Sequence, residues 1–288
     1  MEVIVLDDLR AQGYQIRDRM QTMNLDHLRL ILKEYGKFHA ASFALRSQKK
    51  EEYKSIIALV HDNTLKYLSD ENMVSNFEKG IFEALDIVRD GSDQRLRRKI
   101  DLFKRVIEKG CIHLMLDLLN ADEPQTVITH GDGWNNNFMF KYKDENQLSP
   151  SEIRIIDFQL SALRSPVFDI VHVIYANSSK TELDMFDELL DTYYTAFSNF
   201  LREAGCNPDE LFPFTDLMKH WEKYSIYGAL MIPMILTFGL CDKSDAPDYD
   251  DFKEGQEPGS LIQMKIADEN QFQERLRAVF EHYLDSCY

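Results

Sequence analysis

The spacing of apolar residues divides the chain into two helical regions with a short β-rich region between them. Asn24 is suited to cap a helix that runs to Gln48, because apolar residues recur there every three or four positions. The same period predicts further helices over residues 53–68, 72–88, 95–119, 167–177, 182–204, 214–240 and 268–284. Within residues 95–119, the predicted buried stripe consists of Leu102, Val106, Ile112, Met115 and Leu119.

Short runs of β-forming residues occupy positions 126–129, 138–142 and 153–157. A polar loop over residues 143–152 separates the last two runs, which predicts a hairpin. Residues 3–6 form a further strand-like run, and residues 242–259, rich in Asp, Pro and Gly, predict an exposed loop. Since the sequence has no internal repeat or long linker, the pattern predicts an α+β fold dominated by helix.

Composition narrows the class of protein. Because 44% of the 288 residues are apolar, the chain is globular rather than disordered. A net charge of −16 disfavours nucleic acid as a partner, since phosphate binding needs a cationic surface. The four cysteines are widely separated, which disfavours a zinc site and a disulfide framework. Together with an N-terminus that has no signal-peptide pattern, this composition predicts a cytoplasmic protein.

One apolar run, over residues 226–240, has a membrane-like composition. It is shorter than the roughly 20 residues that cross a bilayer, and Pro233 interrupts it. We therefore expect a buried core helix and no membrane partner. The sequence does not predict the oligomeric state.

The candidate catalytic residues lie in the segment HGDGWNNN, which follows the predicted strand over residues 126–129. Asp132 precedes Asn137 by five positions. Phosphoryl-transfer sites of the kinase type use an aspartate to accept the proton of the acceptor hydroxyl, and an asparagine at this separation to bind a metal. The segment therefore predicts Asp132 as the catalytic base and Asn137 as a metal ligand.

A second carboxylate, Asp157, follows the strand-like segment IRII. Mg²⁺ in such sites is held by one or two carboxylates together with phosphate oxygens and water. We therefore predict that Asp157 is the principal metal ligand, with ATP and Mg²⁺ as the cofactors. The sequence contains no His-Glu-x-x-His motif, no Gly-x-Ser-x-Gly elbow and no Walker loop that would support a competing chemistry.

Several neighbouring residues have a structural interpretation. His130 is expected to orient the loop by hydrogen bonding, and Asn135 and Asn136 to shape its turn. Trp134 is expected to anchor the loop by packing, although contact with a substrate is the alternative. His39 lies on an apolar helical face and is predicted to be a core histidine.

These motifs resemble those of a known family. HGDGWNNNFMF, then IDFQ, then RSPVFD are similar to the catalytic half of the CHK-like, ecdysteroid kinase-like proteins of insects and nematodes. That family is related to aminoglycoside phosphotransferases and choline kinases. Trp134 after Gly133, the pair Met139 and Phe140, and Gln159 distinguish it from those relatives.

The resemblance implies a protein-kinase-like fold and extends over nearly the whole chain. It assigns residues 1–23 to a hinge segment and residues 24–288 to the helix-rich C-terminal lobe, with both loops within residues 127–169. Leu6, Asp7, Asp8 and Leu9 would present backbone groups to adenine. The family's N-terminal lobe, with its phosphate-covering loop and lysine, is expected to be largely absent, which would weaken ATP binding. Asp169 resembles the aspartate that braces the catalytic loop, and an N-cap role is the alternative.

The resulting hypothesis is an ATP-dependent phosphotransferase that acts on a hydroxyl of a small molecule. The resemblance implies a steroid alcohol of the ecdysteroid type as the acceptor. The alternative hypothesis is a truncated, catalytically silent kinase-like module with a binding or regulatory role.

Overall fold

The computed structural model describes residues 6–64, 71–242 and 264–287, in which helices predominate. The helices are α1 (Leu25–Gln48), α2 (Lys50–Ile57), α3 (Glu71–Asp90), α4 (Gln94–Ile107), α5 (Cys111–Leu119), α6 (Val167–Asn177), α7 (Lys180–Leu183), α8 (Phe186–Glu203), α9 (Pro208–Leu211), α10 (Phe214–Leu240) and α11 (Glu269–Cys287). The strands are β1 (Gln15–Ile16), β2 (Val127–Thr129), β3 (Phe138–Tyr142), β4 (Pro150–Ile155) and β5 (Ala162–Arg164). The predicted helix-rich α+β class is confirmed.

Helix α1 begins and ends where the apolar period predicted. The Asn24 side-chain oxygen accepts hydrogen bonds from the backbone N–H groups of Asp26 and His27, at 3.1 and 3.2 Å. These bonds satisfy donors that the first helical turn leaves without an intrahelical partner. Helices α6 and α10 and strand β3 also match their predicted bounds.

Three predicted helices were wrong in extent. The helix expected over residues 53–68 is interrupted, since α2 ends at Ile57, and residues 65–68 lie outside the described residues. The helix expected over residues 95–119 is two helices, because Gly110 has a φ of 137° that a continuous right-handed helix does not allow. The helix expected over residues 182–204 is likewise divided into α7 and α8. The predictions for residues 3–5 and 243–259 lie outside the described residues.

The face of α4 that packs inward also differs from the prediction. Leu102 and Val106 are 49% and 41% exposed. The buried positions of this helix are Leu96, Ile100, Phe103 and Ile107. Both sets repeat at helical spacing, so periodicity identified the helix without identifying its buried face.

The centre of the core is α6, whose residues are all buried. A helix that is buried all round is expected to be apolar all round, and the three polar side chains of α6, apart from its tyrosine, therefore need an explanation. They are Asp169, His172 and Asn177. The long helix α10 packs against α6 and α11. By length and composition α10 could cross a membrane, and 61% of its most apolar window is buried within the protein.

The end of α10 is fixed by a residue from the N-terminal segment. The last turn of α10 has no basic residue of its own. Instead, the Arg19 guanidinium donates to the carbonyl oxygens of Phe238, Gly239 and Cys241, at 2.7 to 2.9 Å. A cation at this position satisfies carbonyls that the helix leaves free and opposes the negative end of its dipole.

Two small antiparallel sheets lie between the helical regions. One has the order β1-β3-β4, and the other pairs β2 with β5. The predicted β3–β4 hairpin is confirmed, with Phe138 opposite Ile155 and Phe140 opposite Ile153. Strands β1 and β5, of two and three residues, are too short to give a sequence signal and were not predicted.

Candidate functional site

The sheet topology places two loops side by side. One loop, residues 130–137, leads from β2 to β3, and we call it the His130 loop. The other, residues 156–161, leads from β4 to β5, and we call it the Asp157 loop. Because β2 pairs with β5 and β3 pairs with β4, both loops cross between the same two sheets. The topology therefore brings together the two motifs that the sequence singled out.

The register of the hairpin sets the two predicted metal ligands next to each other. Asn137 immediately precedes β3, and the N–H of Ile156 donates to its carbonyl oxygen at 3.1 Å. Ile156 is followed by Asp157. Antiparallel pairing thus places Asn137 one residue away from direct alignment with Asp157.

His130 joins the two loops through its ring. Its Nε2 lies 2.9 Å from the carbonyl oxygen of Ile156, and its Nδ1 lies 3.2 Å from the backbone nitrogen of Asp132. A carbonyl oxygen can only accept and a backbone N–H can only donate, so these partners select the neutral tautomer with the proton on Nε2. His130 therefore orients both loops, in keeping with its predicted structural role.

The carboxylate of Asp132 is held on one side only. Asn137 donates from Nδ2 to Oδ2 of Asp132 at 2.8 Å, and also to the Asp132 carbonyl oxygen at 2.9 Å. Among the described residues no donor contacts Oδ1 of Asp132 or Oδ1 of Asn137. One oxygen of each side chain is therefore available to a ligand, and the orientation of both groups is already fixed.

Asp169 supports the His130 loop from α6. It is fully buried, and its two carboxylate oxygens accept from the N–H groups of His130 and Gly131 at 2.7 and 2.8 Å. His39 donates to it from Nε2 at 3.0 Å. The alternative N-cap role was wrong, because Pro166 is the N-cap of α6.

The charge of Asp169 is stabilised despite its burial. Burial alone raises the pKa of this carboxyl. The hydrogen bond from His39, the electrostatic interactions with the His39 and His130 rings and the N–H of Gly131 together outweigh burial and lower the pKa of Asp169 below its usual value. The loop therefore rests on an ionised, hydrogen-bonded carboxylate.

Helix α6 contacts the loop at every turn along one face. One turn beyond Asp169, Val173 packs under Gly133, and a further turn on, Asn177 donates to the Gly133 carbonyl oxygen at 2.9 Å. These contacts explain why polar residues occur in a fully buried helix: two of them bind the backbone of the loop above.

Two glycines permit this close approach. Gly131 has a φ of 85°, and a Cβ there would lie 2.2 Å from the carbonyl oxygen of Leu160. A Cβ on Gly133 would lie 2.7 Å from a methyl group of Val173. The glycines of the HGDG motif are thus required by backbone conformation in one case and by packing in both.

Asp157 is placed very differently from Asp132. It is exposed, and its one hydrogen bond among the described residues is a long contact of 3.4 Å from Nε2 of Gln159. Its φ is 65°, and only one other non-glycine among the described residues, Gln147, has a positive φ. Such backbone conformations cluster at functional sites, where the surrounding structure maintains them.

The available oxygens fit magnesium. No group of three or more His, Cys, Asp or Glu side chains in the described part of the chain could hold a metal by itself. A Mg²⁺ ion bound with nucleotide does not need such a group, because phosphate oxygens and water complete its six ligands. The unpaired Oδ1 of Asn137 and the exposed carboxylate of Asp157 are hard oxygen donors of the kind that Mg²⁺ prefers.

The predicted hinge residues lie apart from these loops in the hydrogen-bond network. Leu6, Asp7 and Asp8 have no regular secondary structure, and Leu6 is 83% exposed. Leu9 begins a turn in which its carbonyl oxygen accepts from the N–H groups of Gln12 and Tyr14. No hydrogen bond among the described residues connects these four residues to either loop.

A pocket of about 430 Å³ opens beside Asp132. Its walls come mainly from α3, α6, α10 and the two loops, and most of the lining side chains are apolar. Trp134, Gly131 and Leu160 line it on the loop side. Trp134 also packs against the core, so it combines the predicted anchoring contact with a position in the pocket wall. Volume and apolar lining are those of a small-molecule site.

Among the polar residues of the pocket wall, sequence reasoning missed His172 and preferred a core position for Tyr227. A single histidine in the apolar segment VFDIVHVIYAN was the available signal for the first. For Tyr227 the sequence left two interpretations open, a place in the lining of an apolar pocket and a place in the core, and its helical spacing favoured the core. Side-chain direction around a fully buried helix requires the tertiary structure, so the pocket could not be assembled from the sequence.

Comparison with known proteins identifies the family. The ecdysteroid kinase-like family matches residues 1–206, a range that includes both loops and α6. No curated protein matches the chain. The family match indicates a kinase-like phosphotransferase of small molecules and does not favour the silent binding module. On this match, which covers more than half of the chain, the protein belongs to the ecdysteroid kinase-like family.

Proposed function

We propose that the protein transfers the terminal phosphoryl group of ATP, in the presence of Mg²⁺, to a hydroxyl group of a largely apolar small molecule. The observation that carries this proposal is the position of Asp132. Its carboxylate borders the apolar pocket on one side and hydrogen-bonds to Asn137, a candidate metal ligand, on the other. An acceptor in the pocket and a metal-bound nucleotide would therefore meet at this carboxylate.

Asp132 would act as the catalytic base. Its Oδ1 has no donor among the described residues, while Oδ2 is fixed by Asn137. The acceptor hydroxyl would donate to Oδ1, which orients its oxygen towards the terminal phosphorus and takes its proton as the new O–P bond forms. The bond from that phosphorus to the bridging oxygen breaks at the same time, and ADP leaves with the electron pair.

Asn137 and Asp157 would hold the metal ion that accompanies the nucleotide. When bound, Mg²⁺ neutralises the negative charge of the phosphates. The Asn137 amide can bind the metal through Oδ1 without releasing Asp132, because its hydrogen bonds to Asp132 use Nδ2. Adenine would contact the backbone of Leu6, Asp7 or Asp8, since the carbonyl oxygen of Leu9 already accepts two hydrogen bonds.

A steroid alcohol of the ecdysteroid type is the acceptor that we propose. Two observations support it: the matching family is described as ecdysteroid kinase-like, and the pocket beside Asp132 is large and mainly apolar. The localisation that we propose is cytoplasmic, where ATP is available.

The test is transfer of radiolabelled phosphate from ATP to a panel of steroid alcohols and of polar alcohols, with and without Mg²⁺. We expect Mg²⁺-dependent labelling of steroid alcohols, and a loss of about 10²- to 10⁴-fold in Asp132→Asn. Asp191→Asn is a matched control, because Asp191 is exposed on α8 and has no ion pair among the described residues. Equal labelling by wild type and Asp132→Asn would exclude this role for Asp132.

A further inference from the structure

The wall of the pocket beside Asp132 includes a buried imidazole that the proposed transfer reaction leaves without a role. His172 lies on α6, is 4% exposed and lines the pocket. Its Nε2 is buried, and neither Nε2 nor Nδ1 has a hydrogen-bond partner among the described residues. Buried polar groups are nearly always paired, so an unpaired imidazole in the wall of a binding pocket is a candidate for contact with a ligand.

The other buried histidines of the protein differ from His172 in this respect. His27 bonds to Asn24 and Tyr142, His39 to Asp169 and Tyr193, His130 to Ile156 and Asp132, and His220 to Ser165. The absence of a partner is therefore particular to the histidine in the pocket wall. Burial lowers the pKa of His172, although the charges of Asp132 and Asp169 oppose this. The neutral ring offers one donor and one acceptor.

The helix fixes His172 relative to the reactive carboxylate. Asp169 binds the backbone of the His130 loop, and His172 follows it by three positions on the same side of α6. Both Asp132 and His172 line the pocket, and the charge of Asp132 influences the pKa of His172. Since α6 is fully buried, the ring and the carboxylate keep a fixed separation.

A second polar group in the pocket wall, the hydroxyl of Tyr227, supports the same conclusion. Tyr227, on α10, also lines the pocket, and its hydroxyl has no hydrogen bond to any described residue. Its ring is positioned by packing on Phe168, with centroids 4.8 Å apart. The wall thus combines apolar contacts with two unpaired polar groups from α6 and α10.

We propose that His172, assisted by Tyr227, hydrogen-bonds a second oxygen of the acceptor while the reacting hydroxyl lies at Asp132. The preferred acceptor is then an apolar molecule with two separate oxygen groups rather than a simple monoalcohol. This inference rests on the proposed function, because it takes the pocket to be the acceptor site. A site with unpaired polar groups discriminates against ligands that leave them unsatisfied.

The test measures binding without ATP, so that it does not depend on turnover. The probes are androstanediol and androstanol, which share one carbon skeleton and differ by a hydroxyl. Tryptophan fluorescence is the readout: of the two tryptophans, Trp134 lines the pocket, whereas Trp221 is buried against Phe186. We expect wild type to bind the diol about tenfold more tightly, the scale of one net hydrogen bond.

His172→Phe should reduce that preference to near unity, and His172→Asn, which retains an amide donor and acceptor, should restore part of it. Tyr227→Phe should have a smaller effect. His113→Phe, at an exposed position on α5, is the control and should bind both probes as wild type does. Because folding defects would weaken both probes together, the ratio of the two affinities separates recognition from stability.

An unchanged ratio in both His172 variants, or equal affinities in the wild type, would overturn the inference. The same variants in the phosphate-transfer assay distinguish this failure from failure of the proposed function. Transfer that depends on Asp132 with no His172-dependent preference would refute the recognition role alone. Preferential, His172-dependent binding of the diol without any transfer would support recognition and refute the phosphotransferase.

Discussion

Each loop of the candidate site carries an aspartate, but the one in the His130 loop is held by hydrogen bonds and the one in the Asp157 loop is almost free of them. The backbone of the His130 loop is bound from α6: Asp169 accepts from two successive N–H groups, and Asn177 donates to the Gly133 carbonyl oxygen. Within the loop, Asn137 fixes the carboxylate of Asp132. In the Asp157 loop, Asp157 is exposed and has one contact of 3.4 Å. The difference matches the two proposed roles. The catalytic base is oriented before the substrate binds, whereas the metal ligand becomes oriented only when metal and nucleotide bind.

The largest effect on stability is expected from removing the brace of the His130 loop. Asp169→Ala leaves His39 and two backbone N–H groups without their acceptor, and should lower the free energy of unfolding by about 3–5 kcal/mol. Asp169→Asn keeps the shape of the side chain but can accept hydrogen bonds at only one oxygen. It should lower the free energy of unfolding by about 1–3 kcal/mol. Chemical denaturation measures both.

The acid dependence of this effect has a definite sign. The pKa of Asp169 in the folded protein lies below the ordinary value of 3.8. Its ionised form therefore stabilises the fold above that value, and this contribution is lost as the pH falls through the lower, folded pKa. The difference between wild type and Asp169→Asn should shrink only in that acid range. A difference that already shrinks near neutral pH would contradict the assignment.

The glycines offer a second way to separate the loop from ordinary turns. Gly131 and Gly13 have almost the same φ, 85° and 87°, but only Gly131 is crowded, by the carbonyl oxygen of Leu160. Gly13→Ala should cost about 1–2 kcal/mol from its left-handed conformation alone. Gly131→Ala should cost more and should also abolish phosphate transfer. Equal costs would show that the loops are not in close contact there.

A partly buried histidine outside the site, His282 on α11, provides a prediction for the supporting helices. Burial lowers the pKa of His282 to about 4 from 6.5, so between these values the unfolded chain binds a proton that the folded protein does not. Stability should therefore fall as the pH falls through this window. His282→Gln should reduce the slope by up to about 1.4 kcal/mol per pH unit, measured by denaturation at several pH values. An unchanged slope would show that His282 does not contribute to the pH dependence of stability.

The smallest effect on stability is expected at Asp157. Asp157→Asn removes no ion pair among the described residues and should change the free energy of unfolding by less than about 0.5 kcal/mol. A thermal melt beside Asp169→Asn gives the comparison directly. A large loss of stability would mean that Asp157 holds the fold, which would remove the contrast between the loops.

Much of this arrangement was predictable because it depends on local signals. The cap at Asn24, the period of α1, α6 and α10, and the β3–β4 hairpin follow from residues close in sequence. The spacing of Asp132 and Asn137 within a single turn gave the candidate base and ligand. The sequence also indicated Asp157, because it follows an apolar strand.

The unpredicted parts depend on contacts between distant segments. The choice of the buried face of α4 depends on what packs against it, and both of its faces carry apolar residues. The pairing of β2 with β5 spans more than 30 residues and involves only three from each strand. The pocket needs α3, α6 and α10 in place before His172 and Tyr227 can be recognised as its polar residues.

Calorimetric titration of Mg²⁺-ATP into wild type, Asp157→Asn and Asp132→Asn tests the division between the loops most directly. If Asp157 holds the metal and Asp132 acts on the acceptor, Asp157→Asn should weaken Mg²⁺-dependent ATP binding by at least about tenfold. Mutation of residues that only support a metal's ligands already lowers metal affinity by about this factor. Asp132→Asn should bind as wild type does. Equal binding by wild type and Asp157→Asn, or a loss confined to Asp132→Asn, would contradict the account.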